Sequence, residues 1–144
     1  MKVLNYLLCL FVCLTALVYG EIKSVKDKIC CDLNTSSIVE VTQDNFKQLI
    51  FPEKPVILMI YAEWCGCCCR FQPILETFSE RFKESIRFAK LNYDEETDLA
   101  DSFDINYFPT FIFIDSGIVM DKTDEIDTQE ELESQIFAWI NQLN

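Results

Sequence analysis

The sequence predicts an α/β domain: a mixed central sheet with helices on both faces, in the order βαβαβαββα. Three observations carry that expectation. Val56–Tyr61 is an unbroken apolar run, as in a central strand covered on both faces. Strand-like runs alternate with amphipathic stretches, the pattern of strands joined by helical crossovers. Near the end the alternation breaks: Thr110–Asp115 and Ile118–Asp121 are joined by Ser116-Gly117, a two-residue hairpin signal.

The elements follow in order. Residues 1–20 read as a cleaved export signal rather than an uncleaved anchor. Lys2 supplies the positive start, Val3–Tyr19 is nearly all apolar, and a cut fits at Gly20/Glu21. The run is shorter than the roughly 20 apolar residues of a bilayer span, so no stable membrane span is expected after cleavage. Cys9 and Cys13 would leave with the peptide. Residues 21–37 form a polar lead-in carrying Cys30-Cys31 and a glycosylation acceptor pattern at Asn34-Thr35-Ser36. Residues 38–144 form the domain, long enough for one core.

Within it, Ile38–Thr42 alternates apolar and polar as a half-buried strand does. Asp44 can cap the next helix, whose Phe46, Leu49 and Ile50 share a face, and Pro52 and Pro55 end it. After Val56–Tyr61 come four of the eight cysteines, then a helix with Phe71, Ile74, Leu75, Phe78 and Phe82 along one stripe. Pro73 inside that helix removes a backbone donor. Ile86–Asn92 is the next strand, and Thr97–Phe103 a short helix with Leu99 and Phe103 inward. The hairpin follows. Thr128-x-x-Glu131 is a capping box that opens the last helix, with Leu132, Ile136, Trp139, Ile140 and Leu143 on its buried side.

Composition narrows the chemistry. The formal net charge is −12, which disfavours nucleic acid and anionic membrane surfaces as partners. The chain contains no histidine, which excludes Ser-His and Cys-His catalysis and His-ligated metals. Thiols and carboxylates remain.

The thiols sit where that chemistry can use them. Tyr61–Pro73 carries Trp64-Cys65-Gly66-Cys67-Cys68-Cys69 directly between the central strand and a helix. A strand thus delivers a Cys-x-x-Cys pair, Cys65 and Cys68, to the start of a helix. The free N–H groups and positive dipole end there stabilise a thiolate, the form that attacks disulfides. Zinc sites share the Cys-x-x-Cys spacing.

Further pieces stand at matching distances: Pro73, then Lys90-Leu91-Asn92-Tyr93-Asp94, Phe108-Pro109-Thr110 and Gly117. With Trp64-Cys65-Gly66-x-Cys68, these residues resemble the thioredoxin family over roughly Ile38 to Leu143. The resemblance implies a thioredoxin-like fold and thiol–disulfide exchange of the isomerase or reductase type. It implies an attacking Cys65, exposed at the turn, and a resolving Cys68 one turn inside the helix, which together form the redox disulfide. It also implies a cis Pro109, a substrate groove at Trp64, Gly66, Phe108 and Pro109, and a supporting Lys90. Partners would be cysteine-containing proteins and a second dithiol or glutathione, with no cofactor and no metal. Together with the export signal it points to a secreted protein or one of the endoplasmic reticulum lumen.

The chain also departs from the family pattern. Met59 stands where reductases and isomerases of the family keep a buried carboxylate, which leaves Lys90 without that partner and should slow proton transfer to and from Cys68 or route it through water. Glu125 stands where a groove glycine is usual. Cys67 replaces the proline or histidine between the thiols, either as a small apolar residue or as part of a thiol cluster with Cys69 that shuffles disulfides or holds a soft metal. Cys65–Cys68 is the expected disulfide, with Cys67 and Cys69 reduced. Cys30-Cys31 would start from the far end of the sheet, so a bond to another chain or to each other competes with reaching the site. Two other function classes stay open: a client-binding domain with little or no turnover, and a thiolate metal-binding protein.

Overall fold

The computed structural model describes residues 37–51 and 54–143. The expected export signal, Cys30-Cys31, the Asn34 acceptor pattern and the expected stop at Pro52 lie outside those residues. The elements are β1 (Val39–Glu40), α1 (Phe46–Ile50), β2 (Val56–Tyr61), α2 (Cys68–Phe82), β3 (Arg87–Asn92), α3 (Thr97–Asp101), β4 (Thr110–Asp115), β5 (Ile118–Thr123) and α4 (Gln129–Gln142). This is the expected order.

The five strands lie in the order β1-β3-β2-β4-β5. β3 runs parallel to both β1 and β2, while β4 runs antiparallel to β2 and β5. Every residue of β2 is buried, as its unbroken apolar run requires of a strand sandwiched between two helical layers. Alternate residues feed the two layers. Val56, Leu58, Ile60, Ile112 and Ile114 share a cluster with Leu99 and Ala100 of α3, against which Phe46 and Leu49 of α1 pack. Phe111 and Phe113 point the other way: Phe111 meets Phe71 of α2 at 5.5 Å between ring centroids, and Phe113 meets Trp139 of α4 at 5.3 Å. Phe78 and Phe137 join α2 to α4 at 5.3 Å. Each fully buried Leu, Ile or Phe adds on the order of 1.5–3 kcal/mol of apolar transfer energy.

Several boundaries differ from the sequence reading, each for a local reason. β1 is two residues long, because Thr42–Asn45 closes a turn: the Thr42 N–H donates to Asn45 Oδ1 at 2.8 Å and the Asn45 N–H to Thr42 O at 3.2 Å. The N-cap of α1 is therefore Asn45 rather than Asp44, with no side-chain cap bond, since that amide is already engaged. At the hairpin, Ser116 (φ 52°) and Gly117 (φ 78°) both take left-handed conformations, as a primed turn demands. The expected capping box is complete at Thr128: its side chain accepts from the Glu131 N–H, and Glu131 Oε2 accepts from the Thr128 N–H at 3.1 Å.

Candidate functional site

The four-cysteine stretch lies where β2 ends and α2 begins. Cys65 and Cys68 are joined, with an S–S distance of 2.08 Å and Cα atoms 5.4 Å apart. The turn is set by backbone bonds from Cys65 N–H to Ala62 O and from Cys68 N–H to Cys65 O, both 3.1 Å. The Cys68 N–H also points at sulfur, 3.2 Å from Cys65 Sγ. It belongs to the first turn of α2, whose N–H groups have no carbonyl partner within the helix. A thiolate formed at Cys65 on reduction thus meets a preoriented donor and the positive end of the helix dipole.

Two expectations about the pair are corrected. Cys65 is not exposed: it is 5% accessible. One reason is on hand, since Cys67 Sγ rests 3.2 Å from Cys65 Sγ. Cys68 does not lie one turn inside the helix but is its first residue, because residues 62–67 are used by the turn that ends the strand. Cys67, the N-cap, is half-buried and free, and its thiol donates to Phe108 O at 3.4 Å. Cys69, expected to be reduced, is disulfide-bonded.

The residues expected to line a groove come together around this turn. The Phe108–Pro109 peptide is cis, and Pro109 is buried. The Phe108 ring meets Trp64 edge-on at 5.4 Å and Tyr93 at 5.1 Å. Trp64 is 69% exposed, as is Tyr107 next to Phe108. Gly66 is exposed, and a Cβ there would meet no heavy atom of the described residues within 4 Å, so no contact among them demands glycine at this position.

Lys90 is not left without a carboxylate. Its Nζ is 3.0 Å from Glu40 Oε2 and 5.5 Å from the Tyr61 ring centroid. The Tyr61 hydroxyl donates to Glu40 Oε1 at 3.3 Å. Glu40 and Lys90 are register partners on β1 and β3, so their side chains leave the sheet on one face as a cross-strand pair. Met59, the register partner of Lys90 on β2, is 3% exposed. Glu125 is exposed, its N–H bonded to Thr123 Oγ1 at 3.4 Å.

Asp94, the last residue of the run from Lys90, holds the tryptophan. Its carboxylate accepts from Trp64 Nε1 at 3.1 Å and from the Glu63 N–H at 2.9 Å. The Asp94 N–H in turn donates to Asn92 Oδ1 at 3.0 Å. Nearby, the charge of Asp101, then partial burial and a hydrogen bond to Asp101, raise the pKa of the Tyr93 hydroxyl. The sequence signals for Asp94 are its place in the run from Lys90 and its position two residues beyond the strand end at Asn92.

The three sulfurs of Cys65, Cys67 and Cys68 lie within 4.8 Å of one another, close enough for one metal ion once the disulfide is reduced. Among the described residues no helix is long and apolar enough to cross a membrane.

Comparison with known proteins agrees with this geometry. The family model described as Thioredoxin matches residues 37–138. A thioredoxin of Alicyclobacillus acidocaldarius is 35% identical over 96 residues, 67% of this chain and 91% of the relative. Thioredoxin-1 of Caenorhabditis elegans is 33% identical over 110 residues, 75% of this chain and 94% of the relative. The crystal structure of Malassezia sympodialis thioredoxin superposes with a TM-score of 0.65 at 28% identity, covering 72% of this chain and 90% of that one. The mixed five-stranded sheet, the bonded Cys-x-x-Cys pair at a helix start and these relatives lead to one assignment: the chain belongs to the thioredoxin family of thiol–disulfide redox proteins.

Proposed function

We propose that this chain exchanges disulfides with cysteine-containing client proteins in an oxidising export compartment, acting as an oxidant or isomerase. The observation that carries the site assignment is the Cys68 N–H aimed at Cys65 Sγ. In the reducing direction the Cys65 thiolate attacks one sulfur of a client disulfide. A Cys65–client bond forms, and the other client sulfur leaves as a thiolate and takes a proton. Cys68, deprotonated, then attacks Cys65 Sγ; the Cys65–Cys68 bond forms and the second client thiol departs. Two electrons pass from the pair to the client, and the reverse sequence oxidises a dithiol. Glutathione or another dithiol resets the pair.

The direction follows from the export signal in the sequence, since disulfides persist outside the cytosol. Trp64, Phe108 and the open space at Gly66 supply an apolar, partly exposed surface beside the sulfurs for an extended client segment. Reduction of insulin tests the assignment: Cys65→Ser should abolish turnover. Turnover retained in that variant would refute the attacking role.

A second reading, client binding with little turnover, is favoured by Met59. The strand leading to the site carries a thioether where a proton acceptor would speed Cys68, and Lys90 is engaged by Glu40. Clients bound by a Cys65→Ser, Cys68→Ser chain, with no insulin reduction by the unsubstituted chain, would favour it.

A further inference from the structure

We infer that Cys67 is a second resolving thiol, able to release clients from Cys65 without Cys68; this rests on the proposed exchange at Cys65. Cys67 is the free cysteine among the described residues, and its sulfur touches Cys65 Sγ at 3.2 Å. Its thiol points at Phe108 O, 3.4 Å away, in the wall beside the pair. Residues two apart in helix-like backbone have Cα atoms about 5.4 Å apart, from the helix rise and radius. Disulfides span roughly 4.4–6.8 Å. The Cys68 N–H bonds Cys65 O at 3.1 Å, which closes a tight turn with Gly66 and Cys67 at its centre, and Gly66 between the two cysteines carries no side chain to obstruct closure.

The step balances without an outside oxidant. With a client bonded to Cys65, Cys68 is a free thiol and the Cys67 thiolate attacks Cys65 Sγ. The Cys65–Cys67 bond forms, the Cys65–client bond breaks, and the client sulfur leaves as a thiolate that takes up the proton given up by Cys67. Cys68 then attacks Cys65 Sγ, the Cys65–Cys68 bond forms, and Cys67 leaves as the thiol. Cys65 and one partner lose two electrons in all, and the client disulfide gains them. A client bound at Cys65 therefore faces two resolving thiols and dissociates sooner than a single resolver allows.

Thionitrobenzoate serves as the client probe. The reduced full chain carrying Cys68→Ser is loaded at Cys65 and compared with the Cys67→Ser, Cys68→Ser chain, with Cys67→Ala, Cys68→Ser as the alternative should the first double variant misfold. Intramolecular attack from contact should shorten the lifetime of the adduct at least about tenfold in the single variant. Acid-quenched peptide mapping should then find a Cys65–Cys67 bond. Equal lifetimes, or release without that bond, would overturn the role of Cys67. The exchange reading itself is judged separately, by insulin reduction with the unsubstituted chain: absent turnover there removes it, whereas equal adduct lifetimes remove only the second resolver.

Discussion

Two helix starts in this domain face the same physical demand and meet it in opposite ways. Every α-helix begins with N–H groups that lack intrahelical partners. At α4 the demand is closed internally: Thr128 accepts from the Glu131 N–H, and Glu131 accepts from the Thr128 N–H and, at 2.9 Å, from the Asp127 N–H. At α2 the N-cap Cys67 makes no side-chain cap bond, and the Cys68 N–H is shared between Cys65 O and the Cys65 sulfur. The first arrangement serves stability. The second leaves its polarity for whatever charge forms on Cys65. The difference teaches that a missing cap at the end of a central strand can mark chemistry rather than poor design.

Breaking each end separately should show the contrast. The largest effect on stability is expected at α2. Cys69, in its first turn, is disulfide-bonded, so Cys69→Ser removes a cross-link and should cost about 2–4 kcal/mol. Urea unfolding without reductant reads this directly, and insulin reduction should persist.

At α4, Thr128→Ala should cost about 1 kcal/mol, the usual worth of an N-cap. Redox exchange should not change, because this cap lies outside the cysteine turn. Thermal unfolding and insulin turnover on the same sample separate the two readouts.

The charge at α4 adds a pH dependence of known sign. N–H donors from Asp127, then Thr128, hold the Glu131 carboxyl below its ordinary value of 4.5. Its folded-state pKa is thus depressed. The stability it adds is present above the unfolded value and is lost as pH falls through the folded one. Glu131→Gln should therefore be less stable than the parent at neutral pH, and the gap should close in acid as the parent carboxyl protonates.

The smallest effect belongs to Gly66. Space is open at its Cβ position, and its backbone is not in the left-handed region. Gly66→Ala should change stability by no more than about 0.5 kcal/mol. Any loss of exchange with a protein client, but not with glutathione, would then report a clash with the client itself.

The sequence was most legible where the determining interactions are local. The capping box sits within four residues, the hairpin turn within two, and β2 needs only its own apolar run to be recognised as central. The Cys65–Cys68 spacing is local too. What escaped reading depends on residues far apart in the chain. Asp94 reaches Trp64 across 30 residues, and Glu40 reaches Lys90 only through the pairing of β1 with β3. The burial of Cys65 depends on how the turn folds Cys67 against it, and the start of α2 on how many residues that turn consumes. No periodicity encodes such contacts. The shortness of β1 lies between these cases: Thr42 and Asn45 were visible, but their mutual hydrogen bonds compete with strand pairing only once the turn exists.

The central claim is that Cys65 and Cys68 form a reversible redox pair at the open start of α2. Equilibrating the full chain across glutathione buffers, with acid quench and peptide mapping at each ratio, tests it most directly. One reversible two-electron transition is expected, with Cys65–Cys68 the dominant bond of the oxidised form. A pair that does not reoxidise after reduction, or an oxidised form dominated by a different bond to Cys65, would contradict it.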